Sequence, residues 1–251
     1  MIFNTIVAGG TKKWRRPCLK FSSESEFRIP FLQNSSDFPD GKIEFSFDEV
    51  EWFPVTSGNT IISDLDRQNS GLQVLYICGT GNTHIGSLFS ELQAQTPVDC
   101  SGYVETLLDW ESVAVERRIH ISSEFCFQGL FGNVSALRSG PSIYRRTFLN
   151  NYCYSGMFSG CNNLETLPKL FARNLYDFSY DQMFANCAKI MLSETQSDDY
   201  PTPYQIPFDN STIISEGYGA LNGMFAGTGG TFTGTPEPNK TYYLHKSCRI
   251  V

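Results

Sequence analysis

The side chains best able to do chemistry are eight cysteines and three histidines. Cys153, Cys161 and Cys187 are spaced by 8 and 26 residues, whereas a zinc ribbon takes closely spaced cysteine pairs. His84, His120 and His245 lie far apart along the chain. A nucleophilic thiol needs an adjacent base or positive charge, and Asp99-Cys100-Ser101 has none nearby in sequence. The Gly-x-Ser-x-Gly elbow of the α/β-hydrolases is missing. Gly79-Thr80-Gly81 and Gly227-Thr228-Gly229-Gly230 lack the Lys-Ser/Thr ending of a phosphate loop, and we read them as turns. Asp198, Asp199 and Asp209 carry oxygens suited to Ca2+, but not at EF-hand spacing, so they predict a solvated loop. The sequence predicts no catalytic residue, no cofactor and no metal, and hence a protein that is not an enzyme.

The elements around these residues are rich in apolar and aromatic side chains. Of 251 residues, 41% are hydrophobic and 14% aromatic, enough to build a core. Only 18% are charged, and the abundant Ser, Thr, Asn and Gly suit strands and turns. A chain of this length needs no disulfide staples, and free Cys packs as a small hydrophobe. Cys18, Cys78, Cys100, Cys126, Cys153, Cys161, Cys187 and Cys248 are therefore expected to be reduced, Cys126 and Cys153 at equivalent buried positions. The residues Met1-Ile2-Phe3-Asn4-Thr5, with no apolar stretch of about 7–15 residues after them, lead us to expect no signal peptide. No stretch approaches the ~20 apolar residues of a membrane span.

Three zones follow from the pattern. Residues 1–17 read as an arm, with the apolar Ile2, Phe3, Ile6 and Val7 ahead of a basic cluster, Lys12, Lys13, Trp14, Arg15 and Arg16. Residues 18–115 read as a small β-sandwich, with alternation in Cys18-Leu19-Lys20-Phe21 and Ile43-Glu44-Phe45-Ser46-Phe47. The run Leu72–Cys78, apolar on both faces, is the expected central strand. Residues 116–251 form a repeat domain with an insertion near 197–217.

The repeat is explicit in Tyr152-Cys153-Tyr154-Ser155-Gly156-Met157-Phe158-Ser159-Gly160-Cys161 and its counterparts around Phe131, Phe184 and Phe225. These four phenylalanines are separated by 27, 26 and 41 residues. A period in the twenties marks a leucine-rich-repeat solenoid. Tyr154 and Phe158 lie four apart, as do Tyr180 and Phe184, which predicts one face of a short helical element. A strand-like piece follows, such as Leu164-Glu165-Thr166-Leu167. The expected repeat core is Phe131, Cys153, Met157, Phe158, Leu164, Phe184 and Phe225, with the four phenylalanines in one column. The pair Leu88-Phe89 mimics the motif, but no aromatic-Cys-aromatic run precedes it, so it is not counted as a unit.

The wording of residues 148–168, FLNNYCYSGMFSGCNNLETLP, resembles the BspA-like leucine-rich-repeat modules of gut Bacteroidales and their phages. The Glu44-Phe45-Ser46-Phe47-Asp48 run with Trp52 is similar to the β-domain that precedes such repeats. The resemblance covers about residues 18–251. The resulting fold class is mixed β and α/β: an N-terminal small β-sandwich followed by a short, irregular BspA-like solenoid. The resemblance implies surface display and adhesion. Two readings stay open: a bacteriophage virion component of tail, fibre or capsid decoration, or a bacterial cell-surface adhesin.

Charge separation bears on partners. The first 20 residues carry +5 and no acid; since the whole chain carries −7, the rest carries −12. An acidic body repels phosphate backbones, so nucleic acid is not an expected partner. The arm, Ile2, Phe3, Ile6, Val7, Lys12, Lys13, Trp14, Arg15 and Arg16, is expected to dock on other virion proteins. The repeats would face outward, as a spacer or as a surface for a host glycan or protein, in a homo-oligomeric or multicopy assembly.

Overall fold

The computed structural model describes residues 15–31, 39–66 and 71–251. Among these residues nine strands build the body: β1 (Leu19–Ser23), β2 (Phe27–Pro30), β3 (Lys42–Ser46), β4 (Phe53–Pro54), β5 (Thr60–Ile62), β6 (Asp64–Leu65), β7 (Gln73–Thr80), β8 (Gln93–Ala94) and β9 (Val98–Ser101). In β1 the alternation buries Leu19, Phe21 and Ser23. β7 is buried from Val74 to Gly79 and is central, with β1 antiparallel on one side and β3 and β6 on the other. β5, β2 and β8 form a second, three-stranded sheet. The rings of Phe21 and Phe27, one from each sheet, lie 6.4 Å apart. Helix α1 (Thr106–Ala114) crosses β7 so closely that a Cβ at Gly79 would stand 1.8 Å from the Leu107 carbonyl oxygen.

Ten short strands follow: β10 (Ile119–His120), β11 (Leu137–Ser139), β12 (Thr147–Phe148), β13 (Thr166–Leu167), β14 (Asn174–Leu175), β15 (Leu192–Ser193), β16 (Thr202–Tyr204), β17 (Ser215–Glu216), β18 (Tyr242–Leu244) and β19 (Arg249–Ile250). The chain is thus mostly β, with several sheets and a single helix among the described residues. The body sheet does not stop at residue 115. β11 joins it in parallel beside β9, Leu137 opposite Val98, so body and repeats share one sheet and one core.

The repeat segments are not helical. Each is a ribbon of overlapping turns in which every fourth residue has a positive φ: Phe125, Gly129 and Asn133, then Tyr152, Gly156 and Gly160. Phe178, Gln182 and Asn186, then Gly219, Gly223 and Gly227, continue the series. An α-helix admits no such residue. The i, i+4 spacing of Tyr154 and Phe158 belongs to this four-residue turn period instead, which also returns side chains to one face.

The turn ribbon satisfies its backbone in two directions. The N–H groups of Phe127, Gly129, Phe131 and Asn133 donate to carbonyls of Cys153, Ser155, Met157 and Ser159 in the next coil. The intervening N–H groups of Gln128, Leu130, Gly132 and Val134 donate three residues back within their own coil. The same alternation joins Tyr152–Gly160 to the coil at 177–185, and Phe178–Asn186 to the coil at 218–226. Buried backbone polar groups must be paired, and here one half is closed locally and the other between coils.

Stacked coils align equivalent side chains. Phe131, Phe158, Phe184 and Phe225 are fully buried, with successive ring centroids 5.5 Å apart and planes within 9°. Phe127, Tyr154 and Tyr180 form a second buried column at 5.3 and 5.7 Å. Phe125, Tyr152 and Phe178 form a third on the surface, at 4.6 and 4.7 Å. Cys153, Met157 and Leu164 are buried among these columns.

The set-aside pair Leu88-Phe89 is in fact the first coil. Phe89 lies against Phe131 at 5.3 Å with the rings tilted by 33°, and the N–H groups of Ile85 and Phe89 donate to Cys126 and Leu130 as in later coils. Ile85 takes the place that Phe127, Tyr154 and Tyr180 fill below it, so the aromatic-Cys-aromatic run is not required. Phe21 covers Phe89 at 5.0 Å, and at the far end Phe232 covers Phe225 at 6.4 Å. The insertion is partly built in: β16 pairs with β18, and the buried Tyr204 donates its hydroxyl to the Pro168 carbonyl at 3.0 Å.

Phe158 has a ring on each side, so its removal leaves a cavity in the middle of the stack. We expect Phe158→Ala to lower unfolding free energy by about 3–5 kcal/mol in a urea titration. Phe125→Ala, at the partly exposed end of the surface column, should lose well under half of that. Equal losses would mean that the buried column does not carry the stack.

Candidate binding groove

Before each of the four later turn ribbons the chain makes a two-residue strand, and these strands lie side by side in parallel, β10 with β12 and β14 with β17. Their pleat sends Ile119, Leu149 and Leu175 into the core and leaves His120, Phe148 and Asn174 exposed. Arginine sits at or just ahead of three of these strands: Arg118, Arg145, Arg146 and Arg173, all exposed. With Phe148, Phe171, Tyr176 and Ile214 they line a groove of about 310 Å³.

The guanidiniums are held more by rings and carbonyls than by carboxylates. Arg118 lies 5.6 Å from the Phe148 ring centre, and Arg145 lies 5.4 Å from that of Phe171. His120 stacks flat on Phe148, centroids 4.5 Å apart. Arg146 donates to the Glu116 carbonyl at 2.6 Å, and Arg173 donates to that of Thr212 at 3.0 Å. The nearest carboxylate contacts are loose, Arg145 to Asp209 at 3.7 Å and Arg146 to Glu116 at 3.9 Å. Arg118 and Arg173 make no ion pair among the described residues. By contrast, Arg138 grips Asp99 through two bonds, Nε to Oδ1 at 2.9 Å and Nη2 to Oδ2. Tyr176 and Ile214, 46% and 65% exposed, stand at the groove's rim.

A buried carboxylate fixes the segment that carries two of the arginines. Glu105, at the N-terminal end of α1, is fully buried and accepts the Tyr154 hydroxyl at 2.6 Å, the Thr147 hydroxyl at 3.0 Å and the Tyr144 N–H at 2.8 Å. Tyr144 and Thr147 bracket Arg145 and Arg146. Burial raises the carboxyl's pKa, and the three donors offset only part of that.

The arm falls mostly outside the described residues: Ile2, Phe3, Ile6, Val7, Lys12, Lys13 and Trp14 all do. Its last two members are held by the body itself. Arg15 pairs with Glu49 at 2.9 Å. Arg16 reaches Glu44 at 2.6 Å and lies 5.0 Å from the rings of both Trp52 and Trp110. Phe131, Cys153, Met157, Phe158, Leu164, Phe184 and Phe225 are all 0% exposed and support the stack without lining the groove. No group of three or more His, Cys, Asp or Glu suited to a metal occurs among the described residues. None of their helices is long and apolar enough to cross a membrane.

The groove arginines were not singled out in the sequence, although a signal exists. Arg117-Arg118 and Arg145-Arg146 are pairs 28 residues apart, and Arg173 follows 27 after Arg146, close to the repeat period. Comparison of the chain with family models, curated proteins and solved structures finds no match.

The raised pKa of Glu105 has a definite sign. The fold favours the neutral carboxyl, so its contribution to stability is complete below the ordinary Glu value, about 4.3. That contribution is lost as pH rises through the raised native value. Glu105→Gln removes this titration. Melting curves at pH about 4 and about 7.5 should show a larger wild-type advantage over the variant at the lower pH; an advantage that grows with pH would contradict the assignment.

Proposed function

We propose that this chain is a non-enzymatic structural and binding component of a bacteriophage virion that presents its repeat face to a host surface or a neighbouring subunit. The observation that carries the reading is the stack itself. Among the described residues five coils share one aromatic column, closed at one end by the body and at the other by Phe232, and this leaves the lateral face for contact. Stacked repeats are rigid and quasi-one-dimensional, and their lateral surfaces serve as binding platforms.

The thiols support a role without nucleophilic chemistry. Burial pushes Cys100 and Cys126 well above the ordinary thiol range and Cys161 up to about 12. A catalytic thiolate needs the opposite shift. The Cys161 and Cys187 thiols instead donate to the carbonyls of Phe131 and Phe158, each at 3.0 Å, and tie one coil to the coil before it.

The body's grip on Arg16 sets where an anchoring arm can be cut. Removing residues 1–14 keeps the Glu44–Arg16 contact and its two tryptophans, so the truncated protein should melt as the full-length chain does. It should fail to co-purify with particles when the full-length chain is found in them by mass spectrometry. Full incorporation of the truncated chain would refute the anchoring role. Absence of the full-length chain from purified particles would refute the virion reading and favour a cell-surface adhesin.

A further inference from the structure

We propose that the groove between the strands of successive coils binds a carboxylate-bearing sugar, a uronic or related acidic residue of a surface glycan. This deepens the display reading above and rests on it only for the groove's outward orientation. The first support is charge. In a chain of net −7, four arginines converge on one groove, and the two carboxylates nearest them stand beyond normal hydrogen-bond distance. Arg118 and Arg145 lie over aromatic rings, which holds a guanidinium by its face and leaves edge N–H donors for a planar anion. A carboxylate matches that fork.

The second support separates a sugar from other anions. An acidic peptide binding in extended form gains its affinity from a free sheet edge. Beside the groove, Ile119 donates to Arg146, Ile121 to Phe148, Gly217 to Leu175 and Ile214 to Arg173, so β12 and β14 each spend one edge on a neighbour, and at two residues each they offer too short an edge to hold an extended peptide. A nucleic acid needs a long positive track, whereas this groove is short and set in an acidic body. Its 310 Å³ falls at the small end of ligand clefts, ~300–1,000 Å³. Tyr176 makes no ring contact among the described residues and offers an exposed aromatic surface to a sugar's C–H groups. Thus one part of the site recognises the anion and the other the ring that bears it.

The test is calorimetric titration of the purified full chain with a galacturonic acid trisaccharide and with its methyl ester, in which the carboxylates are masked. The free acid should bind and the ester should bind at least about tenfold more weakly, the scale of one lost charge-assisted hydrogen-bond pair. Arg118→Ala and Arg145→Ala, both at exposed positions, should each weaken binding by about the same factor without changing the melting temperature. Arg118→Lys, which keeps charge but not the fork, should fall between. Arg249→Ala, outside the groove, should have no effect. Equal binding of acid and ester, no binding of either, or equal losses from the Arg118 and Arg249 variants would overturn the proposal. Tighter binding of a glutamate oligopeptide or a single-stranded oligonucleotide at the same arginines would also overturn it. The assay uses no particles, so its failure leaves the virion reading standing, and absence from virions would leave sugar binding intact.

Discussion

The structure depends on where each turn ribbon sends its backbone N–H groups. If every N–H closed a turn within its coil, coils would meet only through side chains and could slide. If every one reached the next coil, each coil would be an extended strand and the four-residue period would vanish. Alternation between the two needs a left-handed residue every fourth position, at a cost of roughly 1–2 kcal/mol for each non-glycine residue. Phe125, Tyr152, Phe178 and Gln182 all bear that cost. Three of them also form the surface aromatic column, where each stacked pair returns about 0.5–1.5 kcal/mol. Stacking thus offsets part of the conformational cost at Phe125, Tyr152 and Phe178.

Close approach of the coils also explains which residues can alternate in sequence. Asn133, Gly160, Asn186 and Gly227 are equivalent left-handed positions, occupied by Asn and Gly in turn. A Cβ on Gly160 would come 2.3 Å from the Asn133 side-chain oxygen, and one on Gly227 would come 2.4 Å from that of Asn186. Each asparagine thus occupies the space its neighbouring glycine vacates. The row is set by pairs of coils, so a single coil's sequence does not reveal the rule.

Much of the architecture was legible in the sequence because it is written in spacing. The phenylalanine anchors at 27 and 26 residues, the buried cysteines and the apolar run Leu72–Cys78 all lie where periodicity places them. The helical reading of Tyr154 and Phe158 failed because helix and turn ribbon both return a side chain after about four residues; the glycines at 156 and 160, which favour left-handed backbone, were the distinguishing sign. The coil at Ile85–Leu92 escaped notice because isoleucine replaces the aromatic and the body strand β8 follows directly. The groove arginines were invisible to net charge, since a local excess of one sign is diluted in a chain of −7. Glu105 reads as an ordinary helix-start acid, and only the fold brings Tyr144, Thr147 and Tyr154 around it.

The return of the chain's last strand changes how the stack comes apart. β19 lies parallel to β13, two coils back from the last turn ribbon, and the Cys248 thiol donates to the Lys189 carbonyl beside it. In an open solenoid the terminal repeat has one neighbour and frays alone. Here the coils at 178–186 and 219–227 lie inside a loop whose ends are paired through β13 and β19. A closed loop has less conformational freedom to gain on opening than a free end, so local opening energies, which ordinarily fall toward a repeat array's end, should fall less steeply here.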